Sequence, residues 1–138
     1  MAITVFENHK RLVPGHVLQL RVKREFFDMI RKGLKPFEYR ELKHYWATRL
    51  MHGGVWLDPE PGKLPIWVQD PIFKQFDAVH IINGYGATSP DIITEFAGIT
   101  VDFPEPKYTG SMAGTFDATR ACFAIGIGAI TFDSLNGK

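Results

Sequence analysis

The chain has 138 residues, is 45% hydrophobic and carries a formal charge of +1 at pH 7. That size suits one globular domain spanning 1–138, with its core at about 16–130. A single cysteine, Cys122, excludes an intrachain disulfide framework and a zinc site built on several thiolates, so a reducing, cytoplasmic setting is expected. No apolar run approaches the ~18 residues that span a bilayer. The opening MAITVFENHKRLVPG carries acid early and lacks the apolar stretch of a secretion signal, so no membrane partner is expected either.

In chain order, HVLQLRV (16–22) alternates apolar and polar residues and reads as a strand. KREFFDMIRKG (23–33) sets Phe26, Phe27, Met29 and Ile30 near one helical stripe and closes on Gly33, with basic residues in its last turn. PFEYREL (36–42) alternates again, throwing Phe37, Tyr39 and Glu41 to one face and Glu38, Arg40 and Leu42 to the other. KHYWATRLM (43–51) suits a short helix. From Gly53 to about Gln75, four prolines and several glycines predict a long loop with short extended pieces. FDAVHIING (76–84), DIITEFAGITVDF (91–103, bent at Gly98) and RACFAIGIGAITFD (120–133) read as strands, and EPKYTGSMAGTFDAT (105–119) as a second loop. The order strand, helix, strand, helix, loop, three strands predicts an α+β fold or a small, mostly antiparallel barrel with helices near its ends. Its core is expected to include Leu18, Leu20, Phe26, Ile30, Val79, Ile81, Phe123 and Ile125.

The near-neutral total hides an asymmetry. Residues 1–50 carry 11 Lys and Arg against 5 Asp and Glu, and residues 51–138 carry 5 against 10. Either the basic half meets a phosphate-bearing partner, or the two halves intermix and cancel. The modest overall balance favours a nucleoside-sized ligand or short single-stranded RNA over a long duplex.

The densest chemistry lies in GLKPFEYRELKHYW (33–46). Lys35 sits on a turn, and Glu38 and Arg40 project from the same face of the strand that follows, so three charges converge at the strand's entry. Lys35 would supply an ammonium for an oxyanion, Glu38 a general base, and Arg40 a planar donor fork. The alternative is a surface salt-bridge ladder of little energetic worth. Tyr45 and Trp46 offer aromatic surface to a flat ligand or to the core. NGYGATSPD (83–91) adds Asn83 and Ser89 as hydrogen-bonding groups and Tyr85 as a stacking ring; as plain structure, Asn-Gly is a common turn dipeptide. The five histidines are scattered without metal-ligand spacing, no serine lies in a nucleophile elbow, and no cofactor is implied.

With Gly33-x-Lys35-x-x-Glu38-x-Arg40 on the turn after the first helix, continued by ELKHYWATRL and FDAVHIINGYGATSP, the chain resembles the ASCH family, a relative of the PUA-like β-barrel domains. The resemblance covers roughly residues 16–101 and the closing strand near 120–130. It implies a small barrel with a cleft, lined by the signature residues, for nucleic acid, a nucleobase or a nucleoside. Some members are thought to bind RNA or to act as ribonucleases; others hydrolyse the amide of cytidines acylated on the exocyclic amine. In those amidohydrolases the signature lysine, matched by Lys35, is catalytic, and a threonine three residues later is the nucleophile. Here that position is Glu38, a departure that does not fit the covalent route; the alternative is a single step in which Glu38 activates water, Lys35 stabilises the oxyanion, and another acid, such as Glu95, Asp102 or Glu105, protonates the leaving amine. Arg40, Tyr45, Trp46, Asn83, Tyr85 and Ser89 are the expected substrate-binding residues, and no metal is expected.

Overall fold

Strands dominate the computed structural model, which describes residues 16–108 and 119–136. Their sequence is β1 (Val17–Val22), β2 (Phe37–Glu41), β3 (Met51–Leu57), β4 (Ile66–Phe73), β5 (Ala78–Asn83), β6 (Asp91–Asp102) and β7 (Cys122–Asp133). Helix α1 (Arg24–Arg31) lies between β1 and β2, and α2 (His44–Leu50) between β2 and β3. Five strands hydrogen-bond in the order β1-β5-β6-β7-β2, while β3 and β4 pair as a separate two-stranded ribbon. The fold is thus mixed α and β with mainly antiparallel pairing; β1 and β5 are the parallel exception. No helix among the described residues is long and apolar enough to cross a membrane.

By their contacts the residues gather into two compact units, each assembled from separate stretches of chain. The first comprises the chain up to Pro36, Gln75–Ala97 and the chain from Ile127. Its centre is β5, paired with β1 along one edge (Leu20 opposite Ile81) and with β6 along the other (Ile81 opposite Ile92), and its Ala78, Val79, Ile81 and Ile82 bury apolar side chains on both faces. At the start of β6, Ser134 and Asp91 exchange hydrogen bonds: Ser134 N–H donates to the Asp91 carbonyl and Asp91 N–H to Ser134 Oγ, both at 2.9 Å. Leu18, Leu20, Val79, Ile81, Ile92 and Ile93 are buried together with Phe27 and Ile30 of α1. Arg31 reaches Asp133 at 2.8 Å, so here the basic first half of the chain does pair with the acidic second half.

The end of α1 sets the direction of the chain toward the candidate site. Gly33 adopts φ +73, its N–H bonds the Ile30 carbonyl and the Leu34 N–H bonds the Met29 carbonyl, the paired bonds of a Schellman stop. A side chain with a Cβ is disfavoured at that φ, which explains why glycine punctuates the sequence here.

The second unit comprises Phe37–Lys74 and Gly98–Gly126. In it β2 pairs antiparallel with the start of β7, Glu38 opposite Ile125 and Tyr39 opposite Ala124. Tyr39, Cys122 and Ala124 form one small cluster with Phe37 and Tyr108 against it. Phe123, fully buried, anchors another, meeting Trp56 and Phe73 edge-on at 6.2 and 6.5 Å.

Two expectations need correction. The region 53–75 is not a long loop: it contains most of β3 and all of β4, whose partners include Trp56 opposite Trp67 and Leu57 opposite Ile66. Pro59, Pro61 and Pro65 fall in the connection, and Pro71 falls where the ladder is irregular, so the proline count misleads about the strands themselves. Gly54 marks a close backbone approach, since a Cβ there would stand 2.8 Å from Pro71 Cα. The second correction concerns Phe26, which is half-buried and outside the core, whereas the other seven expected core residues are buried. The expected bend at Gly98 is present, with φ +96. The loop expected over 105–119 lies largely outside the described residues; its described start is a 3₁₀ turn, Pro106–Tyr108.

Candidate functional site

Lys35 follows the Gly33 turn in the first unit and is only 3% exposed. Its Nζ lies 5.3 Å from the centre of the Phe26 ring. Phe26 was assigned to the core by helical periodicity; its position on the edge of the apolar stripe is what frees the ring to face a cation.

Glu38 is the second buried charge, 4% exposed on β2. Its Oε2 lies 3.2 Å from Arg40 Nη1, and the Arg40 guanidinium in turn stands 5.0 Å from the centre of the Trp46 ring. Strand alternation puts residues 38 and 40 on one face, and the turn of chain into α2 brings Trp46 over that face. A surface ladder is therefore excluded for this pair: both side chains are largely removed from water. Tyr45, next along α2, is exposed; it meets Trp46 edge-on at 5.1 Å and carries the Arg49 guanidinium 3.6 Å from its ring centre. The four-residue spacing of Tyr45 and Arg49 makes that contact legible from the helical repeat.

Lys35 and Glu38 stand three positions apart in the sequence. Two cations and one carboxylate thus fall within six positions of sequence, and each of these three side chains is largely removed from water. Burying each such ion costs several kcal/mol before partners are counted, and a cation over a ring returns only about 0.5–2 kcal/mol.

The remaining expected residues occupy one turn of the first unit. Asn83 Nδ2 donates to the Val22 carbonyl at 3.3 Å, and Gly84 N–H donates to the same carbonyl at 3.1 Å. Ser89 N–H donates to the Gly86 carbonyl at 3.3 Å, closing the turn. The Asn83 side-chain amide thus helps to hold the turn's shape, and Ser89 closes it through its backbone. Tyr85 differs: it is 85% exposed and faces Arg21, whose guanidinium lies 5.5 Å from the ring centre and also donates to the Gly84 carbonyl at 2.7 Å. Arg21 was not singled out from sequence, since strand alternation alone does not say which turn a strand-end arginine reaches.

Of the three acids considered for the leaving group, Glu95 and Asp102 are exposed on β6, and Glu105 is exposed beside Lys107 at 3.8 Å. The Glu105 N–H donates to Tyr39 Oη on the opposite face of β2 from Glu38. Among the described residues no group of three or more His, Cys, Asp or Glu could hold a metal ion. His80 instead meets Asp91 at 2.7 Å and His16 meets Asp77 at 3.5 Å.

No family model matches the chain, and no curated protein or solved structure matches it either.

Proposed function

We propose that the protein is an ASCH-type, PUA-like barrel that recognises a nucleobase or nucleoside through Lys35, Glu38 and their aromatic neighbours, and that it hydrolyses the amide of cytidine acylated on the exocyclic amine. The burial of Lys35 and Glu38 carries this reading. Charges placed only to bind a nucleic-acid backbone remain open to solvent, whereas charges that act on a reacting group gain strength where water is excluded. In the proposed step Glu38 takes a proton from water, the hydroxide adds to the acyl carbonyl, and Lys35 stabilises the oxyanion. The C–N bond then breaks, the exocyclic amine takes up the proton, and a carboxylic acid and cytidine leave. Arg40 fixes the carboxylate by holding Oε2, and Trp46 flanks Arg40.

The test is incubation of the purified protein with N4-acylated cytidines, following release of cytidine by chromatography. Lys35→Ala and Glu38→Gln are each expected to abolish turnover with the far-ultraviolet dichroism unchanged. A wild-type protein without detectable turnover on any acylated cytidine would falsify the hydrolase.

The exposed rings of Tyr45 and Tyr85, each beside an arginine, favour a second reading, a binder of short single-stranded RNA. There Lys35→Ala and Arg40→Ala weaken RNA binding, with a steep salt dependence, while Glu38→Gln leaves it unchanged or strengthens it. Glu38→Gln is the substitution on which the two readings disagree in sign.

A further inference from the structure

The ribbon of β3 and β4 carries large apolar side chains on both faces, with Gln69 opposite Val55 as a polar exception on the outer one. One face is packed: Trp56 and Trp67 meet edge-on at 5.7 Å, and Trp56 rests on Phe123. An antiparallel ribbon covered on one side ordinarily turns polar residues to the other. Here the alternate positions are Val55 and Leu57 on β3, and Leu64, Ile66 and Val68 leading into and along β4, joined by Ile72; all six are exposed, between 47% and 67%. The register places Leu57 directly opposite Ile66, so these side chains form one patch. They are six of the ten exposed large hydrophobics among the described residues, concentrated on one element that supplies a minority of the chain. Scattered apolar side chains need no explanation, but a contiguous patch does.

We infer that this face is the dimer interface of the protein, covered by the same face of a second copy. At roughly 100 Å² of exposed surface apiece, the six side chains offer about 600 Å² per copy, so two copies would bury about 1,200 Å², the lower bound of stable specific interfaces. The charges around the patch have both signs: Asp58, Glu60 and Asp70 are exposed, as is Lys63. Association runs through the face and not the strand edge. Pro71 offers no N–H for further pairing on β4, and the ladder is irregular between Met51 and Trp56, which opposes strand-by-strand extension. A closed pair is the result. The inference is independent of the ligand proposed above.

Sedimentation velocity of the full chain from nanomolar to high micromolar concentration tests it. The expected result is a reversible monomer–dimer equilibrium, abolished in Leu57→Asp/Ile66→Asp. Both positions point to solvent, so the variant should keep the wild-type dichroism. If it does not fold, Ile66→Lys and Ile66→Glu serve instead: each is expected to be monomeric alone and to dimerise when mixed. A wild-type protein that stays monomeric throughout overturns the inference, as does a dimer that persists in folded variants. A monomer that co-sediments with phosphatidylcholine vesicles through this face also overturns it, since the occupant is then lipid.

Discussion

Two ion pairs stand at one end of a single short strand and differ in almost nothing but their surroundings. Glu38 and Arg40 are 3.2 Å apart; Glu41 and Lys43 are 3.0 Å apart. Both pairs have the same i, i+2 spacing, the first within β2 and the second across the bend that ends it, where Lys43 N–H donates to the Glu41 carbonyl at 2.9 Å. The side chains of the first are 6% and 18% exposed, those of the second 67% and 63%. The strand supplies the difference: Glu38 faces inward opposite Ile125 and Trp46 flanks Arg40, whereas Glu41 and Lys43 lie where β2 ends and the chain turns toward α2. Distance therefore does not rank these pairs. Water does, because it screens the second and is excluded from the first. A buried pair is weak evidence for stability in itself, since desolvation opposes it, and replacing such a pair by apolar residues is often neutral. That the chain keeps three charges in this shielded stretch supports a role in recognition or chemistry.

The largest effect expected from this contrast is on folding. Arg40→Ala leaves the Glu38 carboxylate buried beside an alanine and should cost about 3–5 kcal/mol. Urea denaturation followed by tryptophan fluorescence measures it. Arg40→Ala combined with Glu38→Gln removes both charges and should recover much of that loss, giving with the two single variants a strongly non-additive double-mutant cycle. An Arg40→Ala protein within about 1 kcal/mol of wild type would place the pair energetically with surface pairs.

A smaller effect should come from the other face of the same strand. Tyr39 is buried against Cys122 and Ala124, and that burial pushes its phenol above the ordinary value of 10.0, with the nearby Glu105 carboxylate acting in the same direction and the Glu105 backbone hydrogen bond opposing. The folded state then holds its proton where the unfolded state has begun to lose it. Stability is fully present below about pH 10 and falls as pH rises through the folded-state value. Tyr39→Phe keeps the ring and removes the titration, so its denaturation midpoint should fall less than that of wild type between neutral and strongly alkaline pH. Equal declines in the two proteins would assign the alkaline loss to other groups.

The same strand shows how far a sequence can be read. Alternation identified β2 and its two faces because period-2 patterning is a local property, and β5 was legible because a run of apolar residues between turn signals survives any tertiary arrangement. Gly33 and Gly98 were legible as punctuation, and both adopt positive φ. The ribbon was not legible: three prolines in its connection and a fourth at a ladder irregularity outweighed the Val-Trp-Leu and Ile-Trp-Val alternations on either side. Lys35, Glu38 and Arg40 could be named from their spacing, but not their burial, which for Glu38 depends on β2 pairing with β7, where Ile125 stands opposite it. Nor could spacing show that Asn83 and Ser89 hold their own turn while Tyr85 stands clear of it. Side-chain hydrogen bonds to a distant backbone, such as Asn83 to Val22, arise only once β1 and β5 lie side by side.

The smallest effect is expected at the exposed pair, and it is the control on which the comparison rests. Lys43→Ala removes an ammonium from water, not from a shielded site, so the Glu41 carboxylate it leaves behind is rehydrated at once. The loss should stay below about 1 kcal/mol and shrink further in high salt, because screening acts within about 10 Å at 0.1 M and more tightly above it. Arg40→Ala should show no such convergence with salt, its cost being desolvation that ions in bulk water do not reach. Denaturation of both variants at low and at molar sodium chloride separates the two cases. Urea is the suitable denaturant for this measurement, since guanidinium is itself a salt and would mask the difference at the exposed pair. If the Lys43→Ala loss equals that of Arg40→Ala and is likewise insensitive to salt, then burial is not what distinguishes the pairs, and the case for a shielded site at Glu38 loses its energetic support.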